Sequence, residues 1–282
     1  MAIIGINTFL WTTRWAEGVG PLLERVKRIG FDAIQVPLLS LDALEAGELA
    51  RVCGELGLKC YISAGLKPAT DVCSEDAATR RRGVEYLKGC VRFARAAGAP
   101  FLSGSFHSVF GMKATGPVGE SHWHRSADCL HEVAGEEPDF DLVLEPINRY
   151  ESFLINTAEQ AERLIAMIGL ANVKVQLDTF HMNMEEDDMV ETLRSVGDRM
   201  VHFHVAENHR GRFGRGTIRW DDVFEALAAN RYAGAVVIET FVPSVPEVAT
   251  AAAIWRWMAA SADELAREGL DFIRALADKH GL

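Results

Sequence analysis

The sequence has few cysteines, no long apolar run and no basic segment at its start. The five cysteines are scattered and include no C-x-x-C pair, which argues against a disulfide framework and against a thiolate zinc site. Each is predicted to pack as a small buried apolar residue. Nowhere do about 18 apolar residues follow one another, and MAIIGINTFLW lacks the basic region of a signal peptide. We therefore expect a cytoplasmic protein.

Positive charge is also scarce. The 282 residues include 29 Lys and Arg against 40 Asp and Glu, a formal net charge of -11 at pH 7. Such a field repels polyphosphate and anionic lipid, so neither nucleic acid nor a membrane surface is an expected partner. Hydrophobic residues make up 49% of the chain, enough for one large core. By length, one barrel of roughly 250 residues or two smaller domains would both fit.

Short apolar runs alternate with helical segments along the whole chain. The eight runs are IIGIN, AIQV, KCYIS, FLSGSF, LVLEP, VKVQLD, VHFHV and AVVIET. Between the third and fourth of them, Val84, Leu87, Val91 and Ala94 recur on one face of a helix. Eight strand and helix units predict an α/β protein with a (β/α)8 TIM barrel, a single domain over residues 1–282. A doubly wound sheet is the alternative, but the first strand is not followed by G-x-G-x-x-G.

The last four predicted strands end alike, each in a residue that can bind a metal. LVLE ends in Glu145, VKVQLD in Asp178, VHFH in His204 and AVVIE in Glu239, and in a barrel these ends share one rim. A carboxylate that caps the next helix, or a buried histidine, is the alternative for each residue alone. Together, three carboxylates at one rim would repel one another, and a divalent cation such as Mn²⁺, Mg²⁺ or Co²⁺ would relieve that repulsion. His202 shares a strand face with His204 and is expected to be buried or to support it.

Four segments of the sequence are similar to one known family. LEPINRYE, KVQLDTFHMN, HFHVAENHR and AVVIETFV resemble the D-tagatose 3-epimerase / D-psicose (D-allulose) 3-epimerase family, within the xylose isomerase-like barrels. The resemblance implies that Glu145, Asp178, His204 and Glu239 are metal ligands, typically for Mn²⁺ or Co²⁺. It also implies that Glu145 and Glu239 are the acid and base of the reaction.

The resemblance further implies which residues touch the substrate. Glu151 at the end of NRYE, His181 in DTFH and Arg210, six residues after His204, correspond to groups that hold the sugar near its O1 and O2 oxygens. His107, in FHS after the fourth strand, is expected to line the same pocket, with a buried structural role as the alternative. Phe110, where some relatives have a Trp, is also expected to line the pocket.

The reaction that the resemblance implies also follows from the chemistry of these residues. Epimerising C3 of a ketose removes a proton next to a carbonyl, passes through a cis-enediolate and returns the proton to the opposite face. A metal and nearby donors such as Arg210 and His181 would stabilise the developing charge, and two carboxylates would act as base and acid. We therefore predict a divalent-metal-dependent ketose 3-epimerase acting on free ketoses. The alternatives are an aldose–ketose or sugar-phosphate isomerase with the same metal site, a metal-dependent endonuclease of apurinic sites, and a non-catalytic sugar-binding protein.

Two features leave the sugar open. Gln35 stands where characterised relatives often have Glu, and with Phe110 it predicts a preferred substrate other than tagatose, psicose or fructose. The segment RGRFGRGTIR is predicted to be a solvated loop through Arg212, Arg215 and Arg219, or else an anion clamp for a phosphorylated sugar.

The expected partners are a small-molecule sugar and further copies of the chain. The resemblance implies a homo-oligomer, either a dimer or a tetramer. Trp11, Trp15, Trp255 and Trp257 are predicted to lie in the core or in a subunit contact.

Overall fold

Eight parallel strands close into a barrel in the computed structural model, which describes residues 2–114 and 116–282. Each strand pairs with the next along the chain, and β8 pairs with β1 to close the ring. The strands are β1 Ile3–Asn7, β2 Ala33–Leu38, β3 Lys59–Ala64, β4 Phe101–Gly104, β5 Asp141–Leu144, β6 Val173–Asp178, β7 Met200–Val205 and β8 Ala235–Ile238. The predicted TIM barrel is confirmed. Of the predicted domain range, Met1 and Thr115 lie outside the described residues.

Helices cover the outside of the barrel. They are α1 Gly20–Ile29, α2 Ala46–Leu56, α3 Ala77–Ala96, α4 Glu120–Glu136, α5 Ala158–Ile168, α6 Thr179–Glu185, α7 Met189–Val196, α8 Trp220–Ala229, α9 Pro246–Ala251 and α10 Ala262–His280. The predicted apolar face of α3 is buried at all four of its positions. Short 3-10 turns at Thr8–Leu10, Pro68–Thr70 and Gly197–Arg199 complete the connections. None of the helices in the described part of the chain combines the length and apolar character that a membrane crossing requires.

The inside of the barrel has an apolar layer below a polar one. Side chains alternate between the two faces of a strand, so residues two apart point the same way. The apolar layer forms one buried cluster made of Ala33, Tyr61, Phe101, Val143, Ala235 and Val237. Two residues further along four of the same strands come Gln35, Ser63, Glu145 and Glu239. The polar residues therefore lie on an apolar floor at the C-terminal end of the barrel.

Three strands end earlier than their apolar runs predict. The fourth ends at Gly104, the fifth at Leu144 and the eighth at Ile238. The backbone turns at Gly104, whose φ of +133° is rarely adopted by residues with a side chain. Glu145 and Glu239 come immediately after their strands, yet their N–H groups still donate to the backbone carbonyls of neighbouring strands. This last hydrogen bond holds each glutamate at the rim.

Gly104 supports the position of Glu145, and Gly104→Ala should disturb it. A Cβ at Gly104 would lie 2.2 Å from the backbone oxygen of Ala64, and the Gly104 carbonyl accepts a hydrogen bond of 3.1 Å from the Glu145 N–H. We expect this substitution to lower the free energy of unfolding by about 2–4 kcal/mol in urea denaturation. Gly54→Ala in α2, with open space around its Cβ, is the matched control and should be neutral or stabilising by up to about 1 kcal/mol. Equal midpoints for the two variants would contradict the expectation.

Candidate metal and substrate site

A cavity of about 400 Å³ opens at the C-terminal ends of the strands. One part of its wall is polar and is formed by Asn7, Gln35, Glu145, Glu151, His181, His204, Arg210 and Glu239. Another part is apolar and includes Phe9, Leu38, Leu39, Leu66, Phe110 and Phe241. A small ligand entering here would meet acidic and basic groups at the bottom of the barrel mouth and apolar side chains toward the opening.

The four residues predicted as metal ligands converge on one point. His204 Nδ1 lies 3.5 Å from Glu145 Oε1, 3.5 Å from Glu239 Oε1 and 3.7 Å from Asp178 Oδ2. The residues come from the ends of four adjacent strands, β5 to β8. Three carboxylate oxygens therefore surround one imidazole nitrogen, as the shared rim predicts.

Two of the three carboxylates, Asp178 and Glu239, accept further hydrogen bonds. Asp178 Oδ1 accepts a hydrogen bond of 2.6 Å from the Phe180 N–H and caps α6, so the capping alternative applies to this oxygen. Asp178 Oδ2 is buried and has no hydrogen-bond partner among the described residues. Glu239 accepts from Asn7 Nδ2 at 2.9 Å through Oε1 and from Arg210 Nη2 at 3.1 Å through Oε2.

Burial and neighbouring charges shift the pKa values of this cluster strongly. Burial, together with the neighbouring carboxylates Glu239 and Asp178, raises the pKa of Glu145 to about 8 against the opposing effect of His204. Burial opposes a charge on His204, but Glu239, Asp178 and Glu145 outweigh it and raise its pKa to about 9. Burial also opposes the Asp178 charge, but the close approach of His204, together with the charges of His181 and Arg210, lowers its pKa to about 2. At pH 7 Glu145 and His204 are therefore mostly protonated when no cation is bound.

This donor set fits a divalent cation. The described residues give two overlapping groups with ligand atoms within 4.8 Å of one another, Asp178, His204 and Glu239 in one and Glu145, Asp178 and His181 in the other. Oxygen donors with a single imidazole suit Mn²⁺, Co²⁺ or Mg²⁺ better than a structural zinc site. The partnerless Asp178 Oδ2 also fits, because a buried carboxylate oxygen without a partner is costly unless a cation binds it.

Two hydrogen-bond donors lie side by side near this cluster of carboxylates and His204. His181 Nδ1 is 3.2 Å from the Asn148 N–H nitrogen and 2.9 Å from Asn148 Nδ2. Burial lowers the pKa of His181 to about 3, so the ring is neutral, and its one proton is on Nε2 because Nδ1 accepts from Asn148. His181 Nε2 lies 3.4 Å from Arg210 Nη2. Two adjacent donors of this kind favour a ligand oxygen between them.

Arg210 is held firmly in this position. Its guanidinium carbon lies 3.9 Å from the centre of the Phe180 ring, and its Nη1 lies 3.4 Å from Glu151 Oε1. The backbone of Arg210 is left-handed, with φ +53°, and its carbonyl accepts a hydrogen bond from the Thr240 hydroxyl. The loop geometry therefore fixes the side chain before any ligand binds.

His107 lies behind the cavity instead of in its wall. Its ring is fully buried, Nε2 donates to the backbone carbonyl of Glu145 at 3.1 Å, and Nδ1 lies 3.3 Å from the Ser108 hydroxyl. It is not among the described residues that line the cavity. The structure therefore does not support the predicted contact between His107 and a ligand. The chain that follows β4 turns so that the His107 ring faces the backbone of Glu145. Phe110, by contrast, lines the cavity and is 39% exposed.

Two arginines of the segment RGRFGRGTIR form ion pairs within the protein. Arg212 lies 2.7 Å from Glu264 and 2.9 Å from Glu268, and Arg219 pairs with Asp222. Arg215 and Arg219 are exposed, in agreement with a solvated loop. Two of the three guanidinium groups thus already have carboxylate partners, which does not favour the alternative of an anion clamp.

The prediction of site residues from the sequence missed two asparagines that orient the site. Asn7 donates to Glu239, and Asn148 donates to His181. Asn7 is the last residue of β1, so the strand-end argument applied to amides as well as to acids and histidines would have found it. Asn148 lies in LEPINRYE, between the two glutamates, and no spacing indicates its contact with α6.

The chain matches known proteins along nearly its whole length. Residues 23–276 match the family model described as xylose isomerase-like TIM barrel. An L-ribulose 3-epimerase of Mesorhizobium japonicum is 34% identical over 97% of this chain and 93% of its own. A ketose 3-epimerase of Arthrobacter globiformis is 33% identical over 96% of this chain and 95% of its own. A solved structure of an L-ribulose 3-epimerase superposes with a TM-score of 0.94 at 33% identity, covering 99% of this chain and 96% of that one.

Proposed function

Because the chain belongs to the D-tagatose 3-epimerase / D-psicose 3-epimerase family of xylose isomerase-like TIM barrels, we propose that it is a divalent-metal-dependent ketose 3-epimerase acting on free ketoses. Membership of the family makes the protein a sugar epimerase. The proposal adds the metal, the reacting carbon and the residues. One observation carries it: Glu145, Asp178, His204 and Glu239 converge within a cavity whose adjacent wall presents the donors His181 and Arg210.

Glu145 and Glu239 are proposed as the acid and base. They enter the cavity from β5 and β8, which are separated on the ring by two strands, so they approach a bound sugar from different sides. One carboxylate removes the C3 proton, and the other returns a proton to the opposite face. Their roles exchange when the reaction runs in reverse.

The remaining polar residues hold the sugar and its developing charge. Glu145, Asp178, His204 and Glu239 would hold Mn²⁺, Co²⁺ or Mg²⁺, and a bound cation supplies positive charge close to the sugar's carbonyl oxygen. His181 Nε2–H and the Arg210 guanidinium donate hydrogen bonds to the oxygen on which negative charge develops. Glu151 Oε2 is buried without a partner among the described residues, so it can accept a hydrogen bond from a sugar hydroxyl.

An unphosphorylated sugar is the substrate that the charges favour. Arg210 is engaged with Glu151 and Glu239, and Arg212 and Arg219 have carboxylate partners of their own. A phosphate group needs cationic groups that are free to bind it. The relatives named for L-ribulose and D-psicose supply the first ketoses to test.

Deuterium incorporation tests the reacting carbon. The protein, loaded with Mn²⁺, is incubated in D₂O with L-ribulose, D-psicose and D-fructose, and the products are examined by NMR. A 3-epimerase places deuterium at C3 and forms the C3 epimer. Deuterium confined to C1 or C2, with formation of an aldose, would reject the epimerase in favour of an aldose–ketose isomerase using the same metal site.

Metal binding should release protons. With pKa values of about 8 for Glu145 and about 9 for His204, both groups hold a proton at pH 7 that a cation must displace. We therefore expect about two protons per Mn²⁺ and an apparent affinity that rises with pH between pH 6 and 8. Calorimetry at pH 7 in buffers of different ionisation enthalpy measures this number, and Glu145→Gln should lower it by one. Binding without proton release would contradict the expected charge of the cluster.

The cytoplasmic location and the homo-oligomer belong to the same proposal. All five cysteines are free and buried, as expected for a protein of a reducing compartment. Trp11 and Trp15 pack against the core, whereas Trp255 and Trp257 are exposed by 72% and 47%. Exposed tryptophans of this kind are typical of subunit contacts, and sedimentation analysis would measure the number of subunits.

A further inference from the structure

Gln35 joins two buried histidines through one oxygen atom. Its Oε1 lies 2.6 Å from His202 Nε2 and 2.8 Å from His204 Nε2. All three side chains are almost completely buried, so water does not compete for these hydrogen bonds. The amide therefore connects one proposed metal ligand, His204, to a histidine below it on the same strand.

This contact determines which nitrogen of His204 carries a proton. An amide oxygen only accepts hydrogen bonds, so both rings must present an N–H at Nε2. A neutral His204 then has its free lone pair on Nδ1, the nitrogen that faces the three carboxylates. A reversed amide would donate to Nε2 and place the proton on Nδ1, where it would block a metal ion.

His202 holds the amide in this orientation. Its ring packs 4.9 Å from the Tyr61 ring and 5.1 Å from the Phe101 ring, measured between centroids. Its Nδ1 has no hydrogen-bond partner among the described residues, so within that part of the chain the ring makes one hydrogen bond, from Nε2 to Gln35. The aromatic packing restricts the ring, and the ring restricts the amide.

The other nearby amide does not take over this role. Gln176 Nε2 lies 3.2 Å from His204 Nδ1 and 3.3 Å from His204 Nε2. The two ring nitrogens direct their lone pairs or protons to different sides, so an atom equidistant from both is aligned with neither. Gln35 is therefore the residue that selects the tautomer.

We propose that Gln35 is a positioning residue of the metal site, which keeps His204 in the Nε2–H tautomer so that Nδ1 can bind the cation, and that His202 orients Gln35. The inference rests on the proposed function, because it assumes that His204 is a metal ligand. Mutation of a residue that orients a metal-binding histidine typically weakens metal affinity 10- to 100-fold.

Metal affinity, independent of turnover, tests the inference. Mn²⁺ binding is measured by calorimetry for the wild type and for Gln35→Leu, Gln35→Glu and His202→Phe. We expect Gln35→Leu to weaken binding about 10- to 100-fold and His202→Phe to weaken it less. Gln35→Glu keeps an accepting oxygen and should bind at least as tightly as the wild type. Because Phe fits among Tyr61 and Phe101, His202→Phe gives an independent measurement if the Leu variant is poorly folded.

Two further readouts distinguish positioning from a purely structural role. The Mn²⁺ concentration that gives half-maximal turnover should be higher for Gln35→Leu than for the wild type, in proportion to its weaker Mn²⁺ binding. Long-range ¹⁵N NMR with diamagnetic Mg²⁺ should show His204 as the Nε2–H tautomer in the wild type and a mixture in Gln35→Leu. Wild-type affinity in Gln35→Leu, or affinity in Gln35→Glu as weak as in Gln35→Leu, would overturn the inference. A wild-type protein that binds none of these metals would instead reject the proposed function on which the inference rests.

Discussion

Glu145→Gln and Glu239→Gln should each reduce kcat for C3 epimerisation by about 10²- to 10⁴-fold, the usual contribution of a positioned acid or base. Either change removes proton transfer on one face of the sugar but preserves the shape of the side chain. The measurement is initial-rate kinetics at saturating Mn²⁺, with deuterium incorporation followed in parallel. Each variant keeps three of the four proposed metal ligands, so metal binding should weaken and still be measurable.

In both variants, deuterium exchange at C3 should be affected less than conversion of the sugar to its C3 epimer. The carboxylate that remains can still remove and return the C3 proton of one epimer on its own side. We therefore expect deuterium exchange without conversion, and from opposite epimers in the two variants. Glu247→Gln is the matched control, because Glu247 lies at the cavity wall but is paired with Arg14 and half-exposed. Near-wild-type conversion by either Glu145→Gln or Glu239→Gln would reject the proposed acid and base.

Removal of divalent cations should abolish turnover. After dialysis against a chelator we expect at least about a 10³-fold loss, because the charge that develops next to the carbonyl would lose its main stabilisation. Mn²⁺, Co²⁺ or Mg²⁺ should restore the activity of the wild type. They should restore little activity to Asp178→Asn, which loses the carboxylate oxygen that has no hydrogen-bond partner within the described part of the chain. Full activity of protein verified by elemental analysis to be metal-free would contradict a metal-dependent reaction.

The same treatment should lower stability. Binding to the folded state alone adds about 2.7 kcal/mol when the metal is present at a hundred times its Kd, and without it the clustered carboxylates repel one another. Thermal unfolding with chelator and with excess Mn²⁺ measures the difference. In Asp178→Asn the two curves should lie closer together than in the wild type, and identical curves for the wild type would argue against a resident cation.

Strand-end reasoning explains why so much of the site could be predicted. Along β6 the apolar run VKVQLD coincides with the observed strand, and its last residue, Asp178, reaches the rim. For Glu145 and Glu239 the strand ends one residue earlier, but the side chains still lie in the inward row. The alternation of side chains can be read from the sequence of each strand, and the parallel barrel brings the ends of all strands to the same rim.

His107 shows where that reasoning fails. It follows β4 in a position similar to those of the other candidates, yet its ring lies behind Glu145. The direction of a side chain after a strand depends on how the following loop turns, and that depends on packing against the next strand. Local sequence contains no information on this contact.

The amino-acid sequence alone determined the barrel, the row of ligand-type residues at its rim and the acidic character of the chain. Only the tertiary structure decided how the residues of that rim are oriented. Asn7 reaches Glu239 across 232 positions of sequence, and Gln35 reaches His204 across 169. Such contacts exist because β8 closes against β1. Which of these distant residues donates and which accepts depends on the closed ring, and no local sequence pattern encodes that closure.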